Sequence, residues 1–268
     1  MTEKRFWADL TAEEFKELDA ARTIAVLPLG AIEQHGPHLP VSVDRDIVDE
    51  VIRRGLPLLA ENLSVLFLPT MALGKSNEHI AFPGTLTLSA ETLIRAWMEI
   101  GDSVARAGLR KLVLFNGHGG NVAAMDIVAR DLRAKHGMLT VSTSWYQLRA
   151  EDGIFDDREL RHGIHAGLGE TSMMLAARGD LVAMDKAKDF RSRGEDWAAD
   201  HEFIGVGGGK AKLGWLIQDL NAEGACGNAA AATREMGEKL FDGAARGLAD
   251  FLKEVDGFSA EGLDAFGE

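Results

Sequence analysis

Two apolar runs constrain this chain more than anything else in it: Thr23-Ile24-Ala25-Val26-Leu27-Pro28-Leu29 and Lys111-Leu112-Val113-Leu114-Phe115. After its first residue neither run alternates apolar with polar side chains. Each therefore reads as a strand buried on both faces, as in a parallel sheet covered by helices.

The intervening segments fit that frame. Residues 46–59, 89–107 and 121–136 carry helical spacing, the second with Leu93, Trp97 and Ile100 on one face, while residues 63–68 and 139–144 read as further strands. Thr11-Ala12-Glu13-Glu14 has the form of a capping box opening a short helix. Strand–helix–strand alternation predicts an α/β fold, a three-layer α/β/α arrangement with a largely parallel central sheet. No Pro/Ser-rich linker, charge block or internal repeat divides the 268 residues, so one domain over 1–268 is expected.

Ligands of such sheets bind beyond the carboxyl ends of the strands. Beyond the first run lies Glu33-Gln34-His35-Gly36-Pro37-His38-Leu39-Pro40-Val41-Ser42-Val43-Asp44, a mixed set of carboxylate and imidazole donors that suits divalent metals. Side chains two apart in an extended segment point the same way, so Glu33 and His35 are expected in one pocket, with Gln34 turned elsewhere. Pro37 and Pro40 would stiffen a loop that returns Asp44 to it.

Beyond the second run lies Asn116-Gly117-His118-Gly119-Gly120-Asn121, where glycines let backbone approach a ligand closely. This stretch lacks the Gly-x-Gly-x-x-Gly order and the Lys-Ser/Thr of a phosphate loop. Gly205-Val206-Gly207-Gly208-Gly209-Lys210 fails as a phosphate loop too, with Ala211 where a hydroxyl is needed, and reads as a flexible loop or lid. His162-Gly163-Ile164-His165-Ala166-Gly167-Leu168-Gly169-Glu170 places two histidines and a carboxylate where a helix begins. Residues 74–86, with Ser76, Glu78 and His79, combine polar donors with turn formers and suit substrate contact.

The formal net charge of −13, without a clustered basic face, argues against nucleic acid and anionic membrane as partners. Neither a signal-type apolar core nor a run of about 20 apolar residues is present, so the expected location is the cytoplasm. The single cysteine, Cys226, excludes an intrachain disulfide and a Cys-rich zinc site; it reads as a small buried apolar residue.

Taken together, the four blocks resemble the creatininase (creatinine amidohydrolase) family of metal-dependent hydrolases. The matching residues are Gly30 to Pro40 with Asp44, Glu78-His79 with Phe82-Pro83-Gly84-Thr85, Asn116 to Asn121, and His165-Ala166-Gly167 with Glu170-Thr171-Ser172, in family order over roughly residues 20 to 250. The resemblance implies two divalent ions (zinc, manganese or iron): Glu33 and His118 on one, His35 on the other, Asp44 bridging. It also implies His165 as the catalytic histidine and Ser76 as a substrate contact. Creatininase itself carries a Glu two residues after the metal-binding histidine. Here that position is Gly120, and Glu170 is the expected replacement.

An aromatic residue after that histidine, and a Trp-Asp pair shortly before the catalytic one, are also replaced, by Gly119 and Arg161-His162. These departures point away from creatinine. With Glu78 and His79 they form the expected substrate side, where Arg161, His162 or Lys75 would favour an anionic group. The implied activity is hydrolysis of a C–N bond in a small molecule (amide, lactam or formamide) by a water shared between two ions, by a homohexamer. The competing expectations are a formamide hydrolase or peptide-trimming member of the family, and a binding protein that keeps the metal cleft without turnover.

Overall fold

The computed structural model describes residues 4–149, 153–206 and 210–258. The elements follow as α1 (Ala12–Lys16), β1 (Ile24–Leu29), α2 (Val43–Gly55), β2 (Val65–Phe67), α3 (Ala90–Arg106), β3 (Lys111–Asn116), α4 (Val122–His136), β4 (Leu139–Ser144) and α5 (Trp145–Leu148). After them come α6 (Asp157–His162), α7 (Leu168–Arg178), α8 (Gly194–Asp200), α9 (Ile217–Leu220) and α10 (Arg234–Gly257).

The four strands form one parallel sheet in the order β2-β1-β3-β4. Alternate residues of each strand serve opposite layers. Ile24, Val26, Val113 and Phe115 pack beneath α2, α7 and α10, whereas Ala25, Leu27, Leu29, Leu112 and Leu114 pack beneath α3 and α4. This two-sided burial explains the unbroken apolar runs, and the α/β/α expectation holds. The capping box at Thr11 forms as expected, and α4 stops at Gly137 in the left-handed conformation (φ 65°), which glycine adopts freely.

Two features of the sheet place the site. The chain leaves β1 toward one edge, through α2 to β2, then crosses by α3 to β3 on the other side of β1, so the connections diverge between β1 and β3. That divergence is where α/β sheets open a crevice. The register pairs Leu29 with Asn116, so the loops leaving β1 and β3 start level and side by side.

Asp44 departs from expectation. Helix α2 begins at Val43, not at residue 46, so Asp44 stands on the first helical turn rather than on a loop. Asp44 and Asp46 suit that turn because a helix N-terminus carries partial positive charge. The α-helix ends at Gly55 and gives way to a 3₁₀ turn, since Pro57 cannot continue the hydrogen-bond ladder. Of the glycine-rich stretch 205–210, residues 207–209 lie outside the described residues. Among the described residues no helix is long and apolar enough to cross a membrane.

Candidate metal centre

The loop after β1 delivers Glu33 and His35, which are 1% exposed, and the start of α2 delivers Asp44, which is 2% exposed. His118 arrives from the loop after β3, held by the asparagines at either end of its motif. Asn116 Oδ1 accepts the His118 N–H while its Nδ2 donates to the His118 carbonyl and to Ser144 on β4. Asn121 Nδ2 donates to the Gly30 carbonyl and to Asn116, and its Oδ1 accepts from Lys75 N–H, which ties the β1, β2 and β3 loops together. A side chain at Gly117 would run into the backbone of Asp44 at the Oδ-bearing end of α2, so glycine there lets the two ligand segments touch.

Each histidine is oriented by a carbonyl. His35 Nδ1 donates to Glu33 O at 3.0 Å, leaving Nε2 directed at Asp44 Oδ1 (3.5 Å) and Glu170 Oε2 (3.9 Å). His118 Nε2 donates to Lys75 O at 2.8 Å, leaving Nδ1 3.3 Å from Glu33 Oε1 and 3.3 Å from Asp44 Oδ2. A carbonyl behind the ring is the usual way a metal-binding histidine is held in one tautomer.

Glu33 Oε2, His35 Nε2 and Asp44 Oδ2 have no hydrogen-bond partner although all are buried. Unsatisfied buried charge is costly, and a cation in their midst removes that cost. Hard oxygen donors with imidazoles are the donor set that zinc, manganese and iron accept. The residues therefore fit metal.

The electrostatics agree. Burial by itself favours a neutral His35 ring, but the carboxylates of Asp44, Glu170 and Glu33 outweigh it and push its pKa up to about 9. Burial opposes the Asp44 charge, yet His35 and His118 hold its carboxyl well below the usual range. Burial, reinforced by Asp44 and Glu33, raises Glu170 to about 7 against the pull of His35. A concentration of perturbed groups in one cleft marks a functional site.

His165 is 5% exposed and stacks between His35 and His79, with ring centroids 4.2 Å away on each side. Its Nε2 donates to Gln34 O at 2.7 Å, so Nδ1 keeps its lone pair, 3.6 Å from Glu33 Oε1. Burial, then the neighbouring histidines, keep the ring well below its ordinary pKa and so neutral. Backbone bonds with Cys226 anchor it, and Cys226 itself is fully buried beside Ile217 and Leu220, its thiol pushed up to about 11 by burial. Ala166, the next residue, sits at φ 53°, a left-handed conformation that costs a non-glycine residue energy; its N–H donates to Glu170 Oε2 at 2.6 Å.

Gln34 does not simply turn away. Gly36 N–H donates to its Oε1 and its Nε2 donates to Gly224 O, which fixes the amide orientation, and the second Nε2 hydrogen points at His79 Nδ1 (2.8 Å). His79 is thereby held with its proton on Nε2, 3.5 Å from Glu33 Oε1, and burial lowers its pKa to about 3, so it remains a neutral donor. Nothing in the sequence pattern singled out Gln34, Asn116 or Asn121 as the frame of the site. Their only signal is an amide next to each ligand loop.

The remaining sequence candidates fall unevenly. A cavity of about 480 Å³ opens over the cluster, lined by Glu78, His79, Gly119, Tyr146, Phe155 and Trp215 among others. Ser76 is fully buried, its hydroxyl 3.2 Å from His118 Nε2, so it backs the histidine instead of facing the cavity. Arg161 and His162, at the end of α6, are not among the lining residues. The aromatic wall formed by Trp145, Tyr146, Phe155 and Trp215 carried no motif and escaped sequence reading.

This sequence and fold correspond to a known class. The family model for creatininase, creatinine amidohydrolase, matches residues 8–252. The chain belongs to the creatininase family. It is 30% identical to the creatinine amidohydrolase of Pseudomonas putida over 95% of this chain and 98% of that protein, and 31% identical to the mycofactocin precursor peptide peptidase of Mycobacterium tuberculosis over 93% and 94%. A zinc-zinc form of a creatininase variant superposes with a TM-score of 0.73 at 27% identity, covering 95% of this chain and 100% of that one, and a manganese form of creatininase with 0.69 at 27%, again over 95% and 100%.

Proposed function

We propose that this protein is a metal-dependent amidohydrolase that opens a C–N bond of an amide, lactam or formamide over two divalent ions. The observation that carries the reading is the division of Asp44, one oxygen 3.5 Å from His35 Nε2, which also approaches Glu170, and the other 3.3 Å from His118 Nδ1, which also approaches Glu33. A bridging carboxylate flanked by two unlike donor pairs suits two cations a few ångströms apart. Bound there, the ions would supply Lewis-acid polarisation and a water of lowered pKa.

The chain's own residues supply the rest. Glu33, Asp44 and His118 would hold one ion, and His35, Asp44 and Glu170 the other. Neutral His165, with its Nδ1 lone pair open to the cavity, accepts the proton of the attacking water and returns it to the leaving nitrogen. His79 Nε2–H, locked in place by Gln34, is a donor for an oxygen of the substrate. Trp215 and Phe155 wall the cavity and limit access of bulk water.

Peptide trimming is the second reading. It is favoured by the identity to the mycofactocin precursor peptide peptidase and by a cavity of about 480 Å³ that is lined by Tyr146 and Phe155 as well as by the donors. One experiment separates these outcomes: purified protein is stripped, reloaded with zinc, manganese or iron, and screened against lactams, formamides and short peptides. Product that appears with metal and vanishes with chelator supports hydrolysis, and its identity selects the substrate class. Ligand binding without product under every metal would reject turnover.

A further inference from the structure

We propose that Glu78 is a further ligand of the ion held by Glu33, Asp44 and His118, reaching it through the space that the absence of a side chain at position 120 leaves open. This inference rests on reading the cluster as a metal centre.

The first observation concerns Gly120. A Cβ at this position would collide with the Lys75 carbonyl oxygen and stand 2.5 Å from His118 Nε2 and 2.6 Å from Glu78 Oε1. The carbonyl is backbone and cannot swing aside, so no side chain fits at 120 while Lys75 orients His118. The carboxylate of Glu78 therefore occupies the volume that a residue at 120 would claim.

The second concerns distances. Glu78 Oε1 lies 3.8 Å from His118 Nε2, and one oxygen of Glu33, one of Glu78 and one ring nitrogen of His118 all lie within 4.8 Å of one another. Donors placed about 2.0–2.2 Å from one cation stand at most about 4.4 Å apart, so Glu78 must turn from the Nε2 edge of the His118 ring toward the Nδ1 edge, where Glu33 lies, to share that ion.

The third concerns what faces what. Glu33 Oε2 is buried without a partner, and apart from its approach to His118, Glu78 has no hydrogen-bond or ion-pair partner among the described residues. Two carboxylates brought this close repel unless a cation lies between them. The short 3₁₀ turn Asn77–His79 directs this grouping: Ser76 before it touches His118, and His79 at its end touches Glu33, so Glu78 is carried to the same ion.

The test is zinc uptake by the metal-stripped protein, followed by titration calorimetry and elemental analysis, with cobalt(II) absorption as a report on the coordination shell. Wild type should take up two ions. Glu78→Gln, nearly the same shape, should keep one ion at unchanged affinity, bind the other roughly ten- to a hundredfold more weakly, and alter the cobalt spectrum; Glu78→Asp should restore part of the loss. Two ions at wild-type affinity and an unchanged cobalt spectrum in Glu78→Gln would overturn the assignment of Glu78 alone. A wild-type chain that takes up no metal would overturn it together with the metal-centre reading.

Discussion

Asp44, on the first turn of α2, meets His118, in the loop after β3, with its Oδ2 3.3 Å from His118 Nδ1, while the other oxygen of the same carboxylate lies 3.5 Å from His35. One carboxylate thus faces both imidazoles, as the proposed two-ion arrangement requires. Asp44→Asn, which replaces one oxygen by a non-ligating amide nitrogen, should lower bound metal at both positions. His35→Ala should lower it at one. Elemental analysis of the two variants after equal loading checks this, and equal losses in both would contradict the bridging role.

His165→Ala should retain its metal and lose turnover by roughly two to four powers of ten, because in the proposed mechanism this ring acts as a base and not as a ligand. Metal content and steady-state kinetics on the substrate identified by the screen are measured on the same preparation. Near-normal turnover with metal in place would remove His165 from the proton transfer.

Helix α10 lies tightly against α7 at Gly237, where an added Cβ would overlap the Ser172 carbonyl oxygen. Gly237→Ala should therefore destabilise the fold by about 1–3 kcal/mol despite the better helix propensity of alanine. The expected readout is a midpoint lowered by several degrees, about 2–4 °C per kcal/mol for a chain of this order of size. A midpoint at or above that of the wild type would show that the helices part without cost.

Asp102 on α3 clasps α4 through Lys135 (2.8 Å) and His136 (2.7 Å). These hydrogen bonds hold the Asp102 carboxyl below its ordinary pKa. A depressed folded-state pKa contributes stability that is present above the unfolded value near 3.8 and is lost as pH falls through the folded one. The contact is partly exposed, so the contribution is at most about 1 kcal/mol. Thermal midpoints of wild type and Asp102→Asn should differ slightly at pH 6, and the gap should narrow as pH falls below the unfolded value near 3.8. A gap that widens on acidification would reverse the assignment.

How much of this was legible beforehand varies by element. The runs at 24–29 and 111–116 announced strands because residues buried on both faces leave no polar alternation; 139–144, at the half-buried edge of the sheet, shows a mixed apolar and Thr/Ser pattern instead, and α3 followed from its apolar face with Ser89 at the cap. The start of α2 was read three residues late, since Asp44 and Asp46 resemble loop residues in the sequence and are stabilised in a helix by the N-terminal field. The resemblance implied Ser76 as a substrate contact; packing places its buried hydroxyl 3.2 Å from His118 Nε2.

By itself, then, the order of residues determined the sheet, the helices that cover it and the donors at two strand ends, because burial and hydrogen bonding along the chain are local demands written in local pattern. The tertiary structure alone decided which oxygen of Asp44 meets which imidazole, that Gln34 sets the His79 proton, that Gly120 makes room for Glu78, and that Trp215 and Phe155 wall the cavity. Those relations join residues tens to more than a hundred positions apart, and their energies depend on distances that exist only once the chain has folded.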